Sequence, residues 1–313
     1  MKNNLKGNIY LFFGYMLAGT SVITGYLLID KLSNFLITAI SLGIVLLCLA
    51  PFYALKTLHA IKLLKWRDWI MLLLQALFGI FLFRTFLLFG LKFTSTVEAG
   101  ILTGTTPAIT SVLAFFVLRE KLTVNNAFGI GCTVIGIVLL QGANLFSINF
   151  SLHHIGGNLL ILCAAASEST FIIISRRYRV KKPFESKTQM HPMVQTLIVS
   201  SIAFVLSLIP ALFTHPLTTL RLIGFKEWLA LVWYGIFVTA LAFVFFYEGI
   251  KYCNAYMTAA FSGMIPLTSM FLSLFLLHEA IISIQWIGGF LIIISMIMIG
   301  LSGTLKQKNK GCD

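Results

Sequence analysis

The segment GLKFTSTVEAGILTGTTPAITSVLAFFVLRE, residues 90–120, returns 159 residues later as GIKYCNAYMTAAFSGMIPLTSMFLSLFLLHE, residues 249–279. Carried on to residues 140 and 299, the ungapped overlay has ten identities: Gly90/Gly249, Lys92/Lys251, Gly104/Gly263, Pro107/Pro266, Leu113/Leu272, Phe116/Phe275, Leu118/Leu277, Glu120/Glu279, Gly129/Gly288 and Ile135/Ile294. Apolar bias alone matches Leu, Ile and Phe. It does not align two Gly-x-x-Pro cores, two Lys and two Glu in one register. The chain is read as an internal duplication, residues 1–150 and 151–313.

Working outward, 58% of the 313 residues are hydrophobic, 11% are charged, and the mean hydropathy is +0.95. That balance fits a chain whose solvent is lipid. About 20 apolar residues are needed to cross a bilayer as a helix. Ten runs qualify: 8–29, 34–55, 69–91, 94–118, 124–142, 156–178, 192–213, 228–250, 255–277 and 281–303. The expected fold is an all-α membrane protein of ten transmembrane helices, arranged as two inverted five-helix repeats. Inversion follows from arithmetic, because an odd number of spans separates equivalent points. The first run is about 22 residues long, too long for the core of a cleaved signal.

The net charge of +13 is carried between the apolar runs. That distribution argues for membrane orientation and against nucleic-acid binding. With the N-terminus in the cytoplasm, 18 Lys and Arg fall in inside segments and four, Lys31, Lys92, Arg221 and Lys226, fall outside. The expected topology is therefore multi-pass, with both termini cytoplasmic. The five Cys form no C-x-x-C pair, so neither a disulfide framework nor a zinc site is expected.

Charges inside the spans mark candidate chemistry, since a charge near the bilayer centre costs several kcal/mol unless it faces a partner or a cavity. Glu168 lies about 18 Å into its span, within the polar patch Ser167-Glu168-Ser169-Thr170. It can bind a cationic group or exchange a proton, or simply pair with Arg84. Arg84 lies about 22 Å along its own span. It can anchor a substrate carboxylate, pair with Glu98 or Glu168, or snorkel outward. Gly104 and Pro107, with Gly263 and Pro266, break two matching spans. Proline removes a helical hydrogen bond and frees the carbonyls of Thr103 and Ser262, unless the break is a packing kink alone. Tyr15, Thr20, Ser21, Trp233 and Tyr247 are further candidates for lining a cavity; each alone is more often a packing residue or an interface anchor. No H-E-x-x-H, Gly-x-Ser-x-Gly or phosphate-binding loop occurs, so no enzyme, catalytic residue, metal or cofactor is expected.

The run Gly90-Leu-Lys-Phe-Thr-Ser-Thr-Val-Glu-Ala-Gly, the Pro107 core, the turn Leu118-Arg-Glu-Lys-Leu and the second copy with Pro266 and Leu277-His-Glu resemble the drug/metabolite transporter superfamily, EamA type. The second turn departs from the usual pattern, with Ala280 where a basic residue commonly follows the Glu. The resemblance implies a central cavity lined by spans one, three, four, six, eight and nine. It also implies alternating-access export of amino acids or related small metabolites, with proton exchange in some members. Partners would be a small-molecule substrate and the lipid bilayer, with the chain a monomer or homodimer. The reading from another class is a ligand-binding membrane receptor or assembly subunit that moves nothing.

Overall fold

A computed structural model describes residues 2–93, 102–119, 123–140, 152–180, 190–214, 216–220, 223–276 and 283–309. Among the described residues every regular element is helical. Among the same residues six helices are long and apolar enough to cross a membrane: Leu5–Ile29, Asn34–Leu63, Trp66–Gly90, Ile155–Arg179, Pro192–Leu212 and Phe225–Gly249. Thr106–Leu118, Val124–Leu139 and Ser283–Ser295 are apolar but shorter. The run expected over 255–277 is two helices, Ala255–Ser262 and Met264–Leu276, because Gly263 and Pro266 interrupt the ladder. The run expected over 94–118 begins outside the described residues, and its described part is broken at Gly104 and Thr105.

Local chemistry fixes the helix ends. Ser33 accepts from the Leu36 N–H at 3.3 Å and Asn254 from the Met257 N–H at 2.8 Å, both N-caps. Asp68 and Glu227 reach back to the N–H groups of Lys65 and Gly224 at 3.1 and 2.7 Å. Pro192 occupies the first turn of its helix, where the missing N–H is harmless.

Large apolar side chains stand on the surface as well as in the core, and polar ones lie inside. Leu55, Phe52 and Trp66 are 84%, 78% and 78% exposed, while Gln75, Thr110, Ser169 and Thr239 are fully buried. So much bare apolar surface is stable where the surroundings are acyl chains. The helices then associate through close packing and interior hydrogen bonds rather than through hydrophobic burial.

Those contacts come in matched pairs. A Cβ on Gly7 would lie 2.6 Å from Tyr252 Cβ, and one on Gly157 would lie 2.9 Å from Phe93 Cβ. A Cβ on Gly249 would lie 2.6 Å from Leu11 Cδ2, and one on Gly90 would lie 2.6 Å from Ile161 Cδ1. Gly136 approaches the Gly288 carbonyl, and Ser295 donates to the Gly129 carbonyl. Gly19 approaches the Ile265 carbonyl, and Ser169 donates to the Thr106 carbonyl at 3.2 Å. In each pair the numbers shift by 159 beyond the third helix and by 150 in the first, and the two partners exchange halves. Helix packing follows the same exchange: Lys2–Gly19 rests on Ala242–Gly249 as Phe83–Gly90 rests on Leu152–Val180.

Candidate functional site

Arg84 is 4% exposed, in the helix Phe83–Gly90. Its Nη1 donates to Ser41 Oγ at 3.0 Å and its Nη2 to Thr239 Oγ1 at 2.6 Å. The guanidinium lies 4.4 Å from the centre of the Tyr234 ring, a cation–π contact. Two π-helical segments prepare this site: Leu77–Leu82 precedes the arginine, and Tyr234–Leu241 carries both Tyr234 and Thr239. The widened turn lets Thr239 donate to the Tyr234 carbonyl five residues back at 2.8 Å, which leaves its lone pairs for Arg84. Among the described residues no carboxylate pairs with Arg84. Of the two acids considered as its partner, Glu168 is bonded elsewhere and Glu98 lies outside the described residues.

Glu168 stands in the helix Leu152–Val180, against Thr106–Leu113. The Thr106 hydroxyl donates to its Oε2 at 3.3 Å, while Ser169 bonds the Thr106 carbonyl at 3.2 Å and the Ala165 carbonyl at 2.8 Å. The break before Thr106 brings both groups of one residue to face the acid's helix. Tyr15, on the first helix, has Glu168 as its electrostatic neighbour. Its hydroxyl is buried and makes no hydrogen bond among the described residues. No ion pair to Glu168 occurs among the described residues. The duplication supplies an internal control: the positions matching Glu168, Ser169 and Thr106 are Ala18, Gly19 and Ile265. One half carries the polar group where the other keeps an apolar junction.

A third cluster joins three helices. Gln75 Oε1 accepts from Gln195 Nε2 at 2.9 Å and from the Tyr247 hydroxyl at 3.0 Å, all fully or nearly fully buried. Tyr247 therefore belongs with two glutamines rather than with Glu168. Thr20 and Trp233 meet each other, Trp233 Nε1 donating to Thr20 Oγ1 at 3.0 Å, on a partly exposed face where Trp233 stacks on Phe237. Thr103 and Gly104 lie on the broken turn before Thr106, and Pro107 in the first turn after it. Ser262 turns its hydroxyl back to the Ala259 carbonyl at 2.7 Å, and Gly263 and Pro266 mark the second break. Among the described residues no three His, Cys, Asp or Glu side chains gather as metal ligands.

The residues the sequence reading missed are Ser41, Thr239, Tyr234, Gln75, Gln195 and Thr106. Gln75 and Gln195 had a usable signal, as amides inside apolar runs. Thr106 stood inside the quoted Gly-x-x-Pro core. Ser41 and Thr239 had none, being single hydroxyls in helices where such residues commonly bond their own backbone.

The EamA-like transporter family matches twice, over residues 5–141 and 155–301. An uncharacterized transporter of Bacillus subtilis, YetK, is 27% identical over 302 residues, covering 92% of this chain and 84% of its own. A WAT1-related protein of Arabidopsis thaliana, At3g30340, is 26% identical over 310 residues, covering 90% and 82%. A solved crystal structure aligns with a TM-score of 0.73 at 21% identity, over 97% of this chain and 98% of that one. That likeness speaks for the fold alone.

Proposed function

This chain belongs to the EamA-like transporter family, a multi-pass membrane family, and on that premise we propose that it exports amino acids or related small metabolites across a bacterial plasma membrane by alternating access, with proton exchange at Glu168. The observation that carries the reading is the Thr106–Glu168–Tyr15 group. It is a carboxylate between two helices, held by one hydroxyl and within electrostatic reach of a second that has no partner among the described residues, in the one half of a matched pair that is polar there. A carboxylate held so lightly can exchange its proton for the ammonium of a substrate as the helices move apart. Arg84, with neutral partners only among the described residues, offers the opposite charge for a substrate carboxylate.

The exchange of contacts between halves supports a pseudo-two-fold arrangement, and five spans per half, as read from the sequence, would have the second repeat inverted relative to the first. The excess of Lys and Arg on one side supports cytoplasmic termini. Breaks at Gly104–Pro107 and Gly263–Pro266 are the places where such halves can bend against each other.

The test is the small-molecule content of the medium around bacteria overproducing the native chain, beside equal amounts of Glu168→Gln. Accumulation of one compound class outside with the native chain only supports both export and the site. Equal accumulation removes Glu168 from the mechanism. No accumulation from either, with ligand-induced stabilisation of the purified protein, favours a binding protein that does not transport.

A further inference from the structure

One end of the bundle gathers cations from two helices and from the turn after Ala242–Gly249. Arg176 Nη1 donates to the Ile250 carbonyl at 2.8 Å, and Lys251 pairs with Glu248 at 2.7 Å. Lys6 Nζ stands 5.8 Å from the centre of the Tyr252 ring. Arg179 lies within electrostatic reach of Arg176, Glu248 and Tyr252, and Lys251 within reach of Arg179 and Lys6. Among the described residues the carboxylate within reach of Arg179 and Lys251 is Glu248, and Lys251 already holds it.

Arg179 is the group left over. It is 9% exposed, in the last turn of Leu152–Val180, where the carbonyl end of the helix favours a cation. That accounts for its charge but not for its donors. Its Nε and Nη2 are both buried and meet no acceptor among the described residues. These two N–H groups project in parallel from one edge of the guanidinium, at the spacing of two oxygens on a single carboxylate or phosphate.

We propose that this end of the bundle is an oxyanion site, in which Arg179 grips a phosphate-class group side-on through Nε and Nη2 while Lys251 and Lys6 supply the surrounding positive field. Two sources present that chemistry at a membrane surface: a phospholipid headgroup and dissolved phosphate. The site lies at one end of the helices, apart from Glu168 and Arg84, and does not depend on what the protein transports.

The test uses the purified full-length chain in an uncharged detergent. Its melting temperature is read with sodium phosphate against sodium chloride at equal ionic strength, then with micelles doped with phosphatidylglycerol against phosphatidylcholine. A rise of about 3 °C with phosphate identifies the dissolved anion, and a rise with phosphatidylglycerol alone identifies the headgroup. Arg179→Lys keeps the charge, loses the fork, and is expected to lose most of the rise. Lys226→Gln, at the far end of Phe225–Gly249, is expected to keep it. No rise with either probe overturns the site on native protein alone. An equal rise in Arg179→Lys, or an equal loss in Lys226→Gln, overturns it as well, by showing a general charge effect.

Discussion

Arg84 and Glu168 are each held by neutral oxygens, and that makes their neighbours testable. Thr239→Val leaves Arg84 Nη2 without an acceptor and is expected to lower stability by about 1–3 kcal/mol, read by thermal unfolding in detergent. Under the proposed coupling, Thr106→Val removes the hydrogen bond to Glu168 and is expected to slow export by about 3- to 10-fold, a loss of roughly 1 kcal/mol, without reducing the amount of protein in the membrane. Unchanged export would place the coupling elsewhere. Burial pushes the Cys253 thiol up to about 12. At pH 8 only about one part in 10⁴ is then thiolate, so a soluble maleimide is expected to label Cys253 slowly until the protein is unfolded. Both charges were legible in the sequence because lipid makes them expensive. Ser41 and Thr239 were not, because a hydroxyl hides in an apolar helix by bonding its own backbone, and nothing local tells of an arginine 43 or 155 residues away.

At the scale of helices, contact between backbones sets what is tolerated. Gly136 and Gly131 lie on one helix, Val124–Leu140. A Cβ at Gly136 would sit 2.7 Å from the Gly288 carbonyl oxygen, whereas one at Gly131 meets nothing within 4 Å. Gly136→Ala is therefore expected to lower the unfolding temperature, at a cost of about 1–3 kcal/mol. Gly131→Ala is expected to leave it unchanged or raise stability by up to about 1 kcal/mol. Equal effects would contradict the packing of this helix on Ser283–Asn309. The Gly-Pro breaks were readable because proline announces itself. The π-helical segments Leu77–Leu82 and Tyr234–Leu241 were not, since one residue inserted into a turn leaves an apolar run apolar. Yet they lie at matching places of the duplication and set the Arg84 site.

Over the whole molecule, the ungapped overlay showed the repeat from Gly90 onward and did not reach the first helix. Its true register against Leu152–Val180 is 150 residues, nine short of the rest, because the segment after Val180 is longer than the turn after Ile29. The paired contacts display it, among them Gly7 with Tyr252 against Gly157 with Phe93 and Gly249 with Leu11 against Gly90 with Ile161. The proposed orientation has its own check. Alkaline phosphatase fused after Ile29 is expected to be active and the same fusion after Leu63 inactive, with fluorescence from a green fluorescent protein at the C-terminus. The reverse pattern would turn the molecule over and with it the direction assigned to Glu168.

The helix Asn34–Leu63 has 30 residues, which at about 1.5 Å each makes a rod of about 45 Å. The acyl interior is about 30 Å deep. Absorbing the whole rod by leaning would take a tilt near 48°, steeper than spanning helices adopt. The rod must therefore stand proud of the interior, and the cost of charge in lipid favours the end that carries Lys56 and Lys62. The protein thus brings its own depth gauge: a thicker bilayer swallows apolar residues of this stilt before it meets the lysines, and a thinner one lifts them clear into water.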